Sequence, residues 1–539
     1  MENLQNHELP CAAPADAACA EANAAPAASV SAEAPIYPAA PAKIRRQQRV
    51  FTTKDKLLAW LSIFVGYLFC RTFFVWYKPL MGLIFTLALF TFAFVFYGKQ
   101  KRKARSWFYP VTALVLSAGL FITGSPELRF FIFTYVMVAF FLFCQTGSET
   151  ALEERAGQLY VFETFKAILV SPFKSFDAAV QSIGSNKGGK KLGKTLLFII
   201  AGIGIAIVPT VIVIGLLSYD RTFTFILDKI RAGIFDRILS RLWSVFFGIP
   251  FGMYFFGALY TGAHPLPDEF NSEKCVSAEN KMKFMPALIG TVALLPLLFL
   301  YIVFIAAHAD YYRAVFSGSL PEAFTYAQFA RDGFFRLCVV AAINAVALIL
   351  LRVFTRRTAN GRISPVVKIC TTVFSLVTII ISATAISQML MYVSAYGLTR
   401  MRLYTLWFMA VIILLFVLAI LKQFIARLPF APAALAVFVL CFGLLAIPDT
   451  DAFIAEHNYN CFASGKTAEI DVNYLEELGP SAIPTLCRIA KDEKAGEIAR
   501  EHAAEAVERY AKIREEVPFY ALGLPSIRAD QAYKEYKGS

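Results

Sequence analysis

Charge is what this sequence has little of: 17% of its 539 residues are Asp, Glu, Lys or Arg, against about a quarter in an average soluble domain. A chain so short of charge, with 58% of its residues apolar and a mean hydropathy of +0.57, calls for many membrane spans. The same composition excludes collagenous, coiled-coil and disulfide-framework proteins. The ten cysteines are scattered, with no CxxC and no Cys and His ligand spacing, so no structural zinc site is expected. Cys461 and Cys487 near the C-terminus stand either as two free thiols or as a pair in an oxidising compartment. Asp, Glu and His are missing from the interiors of the long apolar runs, which argues against a proton-coupled pump. Asn344 and Gln388 are the noticeable polar groups there, and they read as interhelical hydrogen-bond partners. No signal-peptide pattern precedes the first apolar segment near Leu57, which is expected to remain as the first span.

Hydrophobic runs are what the chain has in abundance. Crossing the hydrocarbon core takes about 20 mostly apolar residues. Eleven segments qualify: 57–76, 79–97, 107–123, 129–146, 196–218, 243–262, 284–307, 335–355, 367–393, 403–421 and 430–447. Each is expected to be a helix, because backbone facing lipid must satisfy its own hydrogen bonds, and the runs do not alternate as barrel strands do. The expected fold class is therefore all-α: a polytopic transmembrane helix bundle of about 11 spans with a small soluble helical C-terminal tail. Three regions follow. Residues 1–50 form a disordered N-terminal tail rich in Ala, Pro and Glu, residues 51–448 the transmembrane helical domain, and residues 449–539 a soluble, acidic, mostly helical tail. Gly202, Gly204 and Pro209 interrupt the fifth span, Gly248, Pro250 and Gly252 the sixth, and Pro296 the seventh, either as the broken helices that transporters use or as the Gly and Pro that are ordinary in membrane helices.

The formal net charge of +13 divides unevenly. Residues 449–539 hold 11 basic and 17 acidic side chains, a net of −6, which leaves +19 for residues 1–448. Lys and Arg collect in cytoplasmic loops, and in alternate connections they number 28 against 13. That bias predicts a cytoplasmic N-terminus and, with an odd number of spans, an extracytoplasmic C-terminal tail. The pI of about 9.2 is then a mark of topology. Nucleic acid is not an expected partner, since it would need a clustered basic face on a soluble domain; membrane lipids and other membrane proteins are. Between Phe223 and Leu242 apolar residues recur at helical spacing with charges on the other side, which predicts an amphipathic helix in the membrane interface. Val161 to Phe176 is expected to do the same on the cytoplasmic face, both packing against the rim of the bundle.

Gly188, Gly193, Lys194 and Thr195 spell GxxxxGK[ST], but no buried strand precedes them and an apolar span follows, so no nucleotide is expected. Lys187, Lys190, Lys191 and Lys194 read instead as positive-inside anchors in contact with phospholipid. The densest polar group lies between the seventh and eighth spans, where His308, Asp310, Tyr311, Glu322, Tyr326 and Arg331 form a candidate functional loop. One His and one Asp two apart are too few ligands for a metal, and no nucleophile can be assembled. No catalytic residue, metal or cofactor is therefore assigned. A second candidate is the turn between the ninth and tenth spans: Tyr396, Gly397, Arg400, Arg402 and Tyr404. Gly397 permits a tight turn, and the two arginines sit at the interface. The acidic tail, through Asp471, Tyr474, Glu476 and Glu477, is expected to dock on them.

At these places the chain resembles a family of bacterial multi-pass membrane proteins known only as a domain of unknown function. The stretches concerned are LPEAFTYAQFARDGFFRL (Leu320 to Leu337), YVSAYGLTRMRLYTLWFM (Tyr392 to Met409) and DAFIAEHNYNCFASGKTAEIDVNYLEELGPSAIPTL (Asp451 to Leu486). The resemblance implies a multi-pass architecture in a bacterial cytoplasmic membrane and no known reaction. Asp332 stands where that family has a second basic residue, which weakens an anion site there. The expected role is non-enzymatic, in envelope sensing or scaffolding. Solute or lipid transport is one alternative, and a membrane enzyme acting on a lipid-linked substrate through His308, Asp310, Glu322 and Arg331 is the other.

Overall fold

Helix starts are written into this sequence as caps. Ser125 precedes Pro126 and accepts the amide of Leu128, Thr399 accepts that of Arg402, Asp449 that of Ala452 and Asp471 that of Tyr474. Each satisfies an amide that the first helical turn leaves without a partner. The computed structural model describes residues 51–73, 78–98, 102–147, 160–184, 234–264, 280–307, 326–356, 364–425, 427–467 and 469–538, with isolated positions elsewhere. Its first helices are α1 (Thr53–Phe73), α2 (Pro79–Tyr97), α3 (Phe108–Ile122), α4 (Pro126–Thr146) and the short α5 (Tyr160–Phe165), α6 (Ser171–Lys174) and α7 (Ala178–Ile183). Then come α8 (Ile234–Ala263), α9 (Ala287–Ala307), α10 (Tyr326–Phe354), α11 (Pro365–Tyr396), α12 (Arg400–Phe424) and α13 (Phe430–Ala446). The tail consists of α14 (Thr450–Ala463), α15 (Val472–Glu477), α16 (Ile483–Lys491), α17 (Glu497–Glu515) and α18 (Leu524–Gly538). No strand occurs among the described residues, and Met285 and Thr355 form an isolated bridge.

Nine helices among the described residues are long and apolar enough to cross a membrane: those of α1 to α4, the third including a 3-10 turn before α3, and those of α8 to α12. The helix α13, only 17 residues long, adds a tenth when counted with α14, from which it is bent by 59°. The all-α multi-pass bundle is therefore the architecture found, with nine of the eleven expected segments falling on these nine helices. The segment 196–218, apart from isolated positions, and residues 1–50 lie outside the described residues.

The helix α8 runs antiparallel to α1, with Gly248 against Gly66 and Gly252 against Ser62, while Lys54 and His264 line one pocket at the opposite end. Gly262 near the end of α8 lies on the Cys144 carbonyl near the end of α4. The chain thus leaves α4 at one end of the bundle and enters α8 at the other.

Three sequence readings need correction. The sixth and seventh spans are not interrupted: α8 continues through Pro250 and α9 through Pro296. A proline in a membrane helix frees one carbonyl, which neighbouring groups re-satisfy. The amphipathic stretch before Leu242 is also not a separate interfacial helix in its described part, because α8 begins at Ile234 and runs directly into the span. The shorter stretch around α5 to α7 goes deeper than the rim. Glu163 and Lys166 are 1% and 3% exposed, and a π-helical turn over Lys166–Val170 joins α5 to α6. Thr261 of α8 donates to the Ser171 carbonyl at 2.8 Å, and Ser171 donates to Gln145 of α4 at 2.8 Å.

Two cores result. In α1 to α4 and α8, Phe69 packs against Phe85, Phe133, Phe251 and Phe255, joined by residues of α13 such as Phe442. In α9 to α12 the core continues without a break into the tail, from Phe374 and Met409 to Ile454, Leu475 and Leu486.

Candidate functional site

Arg400 opens α12 beside a turn that only glycine fits easily. Gly397 has φ of 75°, the left-handed region where a Cβ is strained. The chain therefore reverses between α11 and α12 within three residues, and Arg400 is delivered to the end of the bundle. There Asp451, on the first turn of α14, meets it: Nε to Oδ1 is 2.7 Å and the second guanidinium nitrogen to Oδ2 is 2.8 Å. The Asp451 side chain is fully buried and that of Arg400 21% exposed. A bidentate pair of this kind is strong once formed, and removal of one partner leaves an uncompensated charge.

Around the pair the tail is fastened at several points. Tyr474 of α15 accepts the Arg400 amide at 2.7 Å. Asn458 of α14 accepts the Leu398 amide at 2.6 Å and donates to the Leu398 carbonyl at 2.9 Å, so one side chain makes both hydrogen bonds of a partner strand. Arg402 donates to the Tyr396 carbonyl at 2.9 Å and to that of Gly397, and stacks on Tyr392. Tyr404 shares a 2.8 Å hydrogen bond with Ser125 of the α3–α4 loop, and Ser125 donates to Glu127. Asp449 accepts from Ser481 of the tail at 2.9 Å, and Ser481 lies against Gly124. Arg129 donates to the Gly124 carbonyl at 2.8 Å. Burial pushes the Asp449 carboxyl upward, only partly offset by its hydrogen bonds from Ser481 and Ala452. Burial likewise raises Asp451, against the opposing hold of Arg400, and raises the Tyr474 hydroxyl.

Below this polar plug an apolar cavity of about 500 Å³ lies between α3, α4, α12 and α13. Tyr109 and Tyr160 mark one end and Tyr404 the other. Tyr109 and Tyr160 hydroxyls are 3.5 Å apart, and next to them Arg105 pairs with the buried Glu163 at 2.5 Å.

All five residues of the expected turn site, Tyr396, Gly397, Arg400, Arg402 and Tyr404, are thus gathered at one end of the bundle. The tail does dock there, but mostly through other side chains than expected. Asp471 caps its own helix by accepting the Tyr474 amide, and Glu476 pairs with Arg509 inside the tail; Tyr474 alone of the expected four bonds to the turn. Asp451, Asn458, Ser125 and Ser481 were not singled out from sequence, although the first two stand in the DAFIAEHNYN stretch. Of the candidate functional loop, His308, Asp310, Tyr311 and Glu322 lie outside the described residues. Tyr326 and Arg331 fall in the first turns of α10, with side chains outside the description. Lys187, Lys190, Lys191 and Lys194 are likewise outside it. Asn344 does tie helices together, donating to Thr378 at 3.0 Å and accepting from Tyr301 at 2.6 Å. Among the described residues no three His, Cys, Asp or Glu side chains are grouped so as to hold a metal ion, and Cys461 and Cys487 are free thiols.

Fold and site define a multi-pass membrane protein whose C-terminal helices are plugged into one end of its helix bundle. The chain belongs to the family described as a domain of unknown function (DUF4153), whose model matches residues 110–489. The matched region runs from α3 through α16 and so takes in both the turn and the docked tail. No curated protein and no solved structure matches the chain.

Proposed function

We propose that this protein is a non-enzymatic scaffold or sensor of the bacterial cell envelope. It sits in the cytoplasmic membrane with its N-terminus in the cytoplasm and presents the acidic tail, residues 449–539, on the extracytoplasmic face. The observation that carries the reading is the rigid seat of the tail: the Arg400–Asp451 pair with Asn458 and Tyr474 holds a soluble helical surface in fixed register with the membrane bundle. A scaffold needs such a presented surface, whereas a solute carrier needs polar groups at membrane depth. The cavity offers Tyr and Thr hydroxyls among apolar side chains, and the Trp407 indole that lines it is committed to the Cys441 carbonyl. The enzyme alternative rests on His308, Asp310, Glu322 and Arg331, and the Arg400–Asp451 pair with Asn458 adds no nucleophile to it.

Two measurements test the proposal. Ile498 is 73% exposed on α17, whereas Cys461 is buried, so an impermeant thiol reagent should label Ile498→Cys in cells whose cytoplasmic membrane is intact. Labelling only after that membrane is broken would reverse the topology. Purified protein in liposomes should show no solute flux with or without Asp451→Asn; uptake of a solute by the wild type would replace the scaffold with a carrier.

A further inference from the structure

The cavity between α3, α4, α12 and α13 has a shape and a polarity that choose an occupant. Its volume of about 500 Å³ falls in the range of small-molecule sites, ~300–1,000 Å³, but it is drawn out along the helices. Tyr109 is in the first turn of α3, and Tyr404 bonds to Ser125 just beyond the other end of that helix. At 1.5 Å per residue the helix is about 22 Å long, most of the ~30 Å hydrocarbon core. The walls are Leu128, Val138, Leu435 and Phe438, and the indole of Trp407 is already committed to the Cys441 carbonyl at 2.8 Å. Water has too few partners in such a slot, and an empty slot forfeits the dispersion contacts of its lining.

The two ends differ in charge. At the Tyr404 end Arg129, Arg400 and Arg402 face Glu127, Asp449 and Asp451, a net of zero, and Arg400 donates two hydrogen bonds to Asp451. At the Tyr109 end Lys103, Arg105 and the buried Lys166 accompany Glu163, a net of +2, with Lys103 exposed, while Arg102 is turned to the Phe143 and Cys144 carbonyls. Two tyrosine hydroxyls add hydrogen-bonding capacity there. We propose that this slot is a specific seat for one hydrocarbon chain of an anionic phospholipid, whose phosphate lies at the Arg105 and Tyr160 end. The site goes beyond the scaffold reading and stands whether or not that reading does: a resident lipid chain is a structural ligand that fills the gap between the two halves of the bundle.

The probe is phosphatidylglycerol, with phosphatidylcholine as the neutral comparison, read by native mass spectrometry of full-length protein washed in detergent. Wild type retains one phosphatidylglycerol per chain in preference to phosphatidylcholine. Val138→Trp fills the slot and should weaken retention about tenfold, equal to ~1.4 kcal/mol, while Val292→Trp on the exposed side of α9 leaves it unchanged. Lys103→Ala should remove the preference for the anionic lipid. Thr134→Trp, entering from the exposed side of α4, serves where Val138→Trp does not fold. Independently, phosphatidylglycerol with brominated chains should quench a part of the wild-type tryptophan emission that is missing from Trp407→Phe. Undiminished retention in a folded slot-filling variant, equal retention of both lipids, or no Trp407-dependent quenching would each overturn the proposal.

Discussion

The two halves of the bundle are built from the same kind of apolar helix and are locked in different ways. In the first half, α1 and α8 cross with Gly66, Gly248 and Gly252 in backbone contact, and phenylalanine rings fill the space around the crossing. In the second half, helices are tied by hydrogen bonds: Asn344 links α9, α10 and α11, and Gln423 of α12 reaches Thr371 of α11 at 3.1 Å. The second half also continues into the soluble tail as one core. Between helices in lipid the hydrophobic effect does not discriminate, because lipid tails are as apolar as Leu, so either close shape or polar pairing must do it. The first half relies mainly on shape, beside the Thr261–Ser171–Gln145 hydrogen bonds, and the second on pairing, and the half that relies on pairing is the one whose core continues into the tail.

The sharpest way to break the first arrangement is Gly66→Leu. A Cβ at residue 66 would already overlap the Gly248 carbonyl and the Gly252 amide, and these are backbone atoms that cannot turn aside. The expected loss is upward of about 3 kcal/mol, read as loss of monodisperse protein and of cooperative melting in detergent. Val292→Leu on the exposed side of α9 should be silent. In the second half the largest effect is expected from Asp451→Asn, about 3 kcal/mol, because Arg400 keeps its charge in a half-closed site. Limited proteolysis should then cut the tail while the membrane helices stay intact. Adding Arg400→Gln should recover part of the loss, since no uncompensated charge remains; a double variant as exposed to protease as the single one would refute the pairing argument.

How much of this was readable in advance follows the same division. Long apolar runs mark helices wherever they occur, and segments such as 79–97 and 367–393 sit on α2 and α11 almost residue for residue. The turn at Gly397 was also readable, because left-handed backbone selects glycine and arginines flank it. The partners were not. Asp451 lies 51 residues from Arg400 and Tyr404 lies 279 from Ser125, distances over which no spacing rule operates. Acidic residues nearer the middle of the tail, such as Glu476, looked equally suitable, yet an arginine of the tail itself takes that one. Gly248, Pro250 and Gly252 misled for a physical reason: the same residues permit a broken helix and a tight crossing, and only the facing helix, with Ser62 and Gly66 in register, decides between them.

A smaller effect separates the hydrogen bonds from the packing around them. Asn344→Leu keeps the volume but removes the contacts to Thr378 and Tyr301, and the expected destabilisation is about 1 kcal/mol, in line with polar pairs between membrane helices. Tyr301→Phe removes only one of the two bonds and should cost less. Thermal midpoints in one detergent give both values; a loss for Asn344→Leu as large as that for Gly66→Leu would mean that the second half also depends on close shape.

The smallest effect concerns the seat of the tail and has a sign fixed by burial. The Asp449 carboxyl is raised above its ordinary value because its surroundings exclude water, so the docked state binds a proton more tightly than the undocked chain. Stability falls with rising pH wherever the folded form binds more protons. Docking should therefore weaken between the ordinary carboxylate value near 3.8 and the raised one, and be level above it. Asp449→Asn retains an oxygen for Ser481 and the Ala452 amide and cannot ionise. It should change stability at neutral pH by less than about 1 kcal/mol and make that acid-side slope shallower, leaving the share that Asp451 contributes. Protease protection of the tail measured from pH 3 to pH 7 in both proteins provides the check: a wild-type tail that tightens with rising pH where Asp449→Asn does not would show that Asp449 works as an ionised partner of Arg129 and Arg400, and would move it from cap to charge pair.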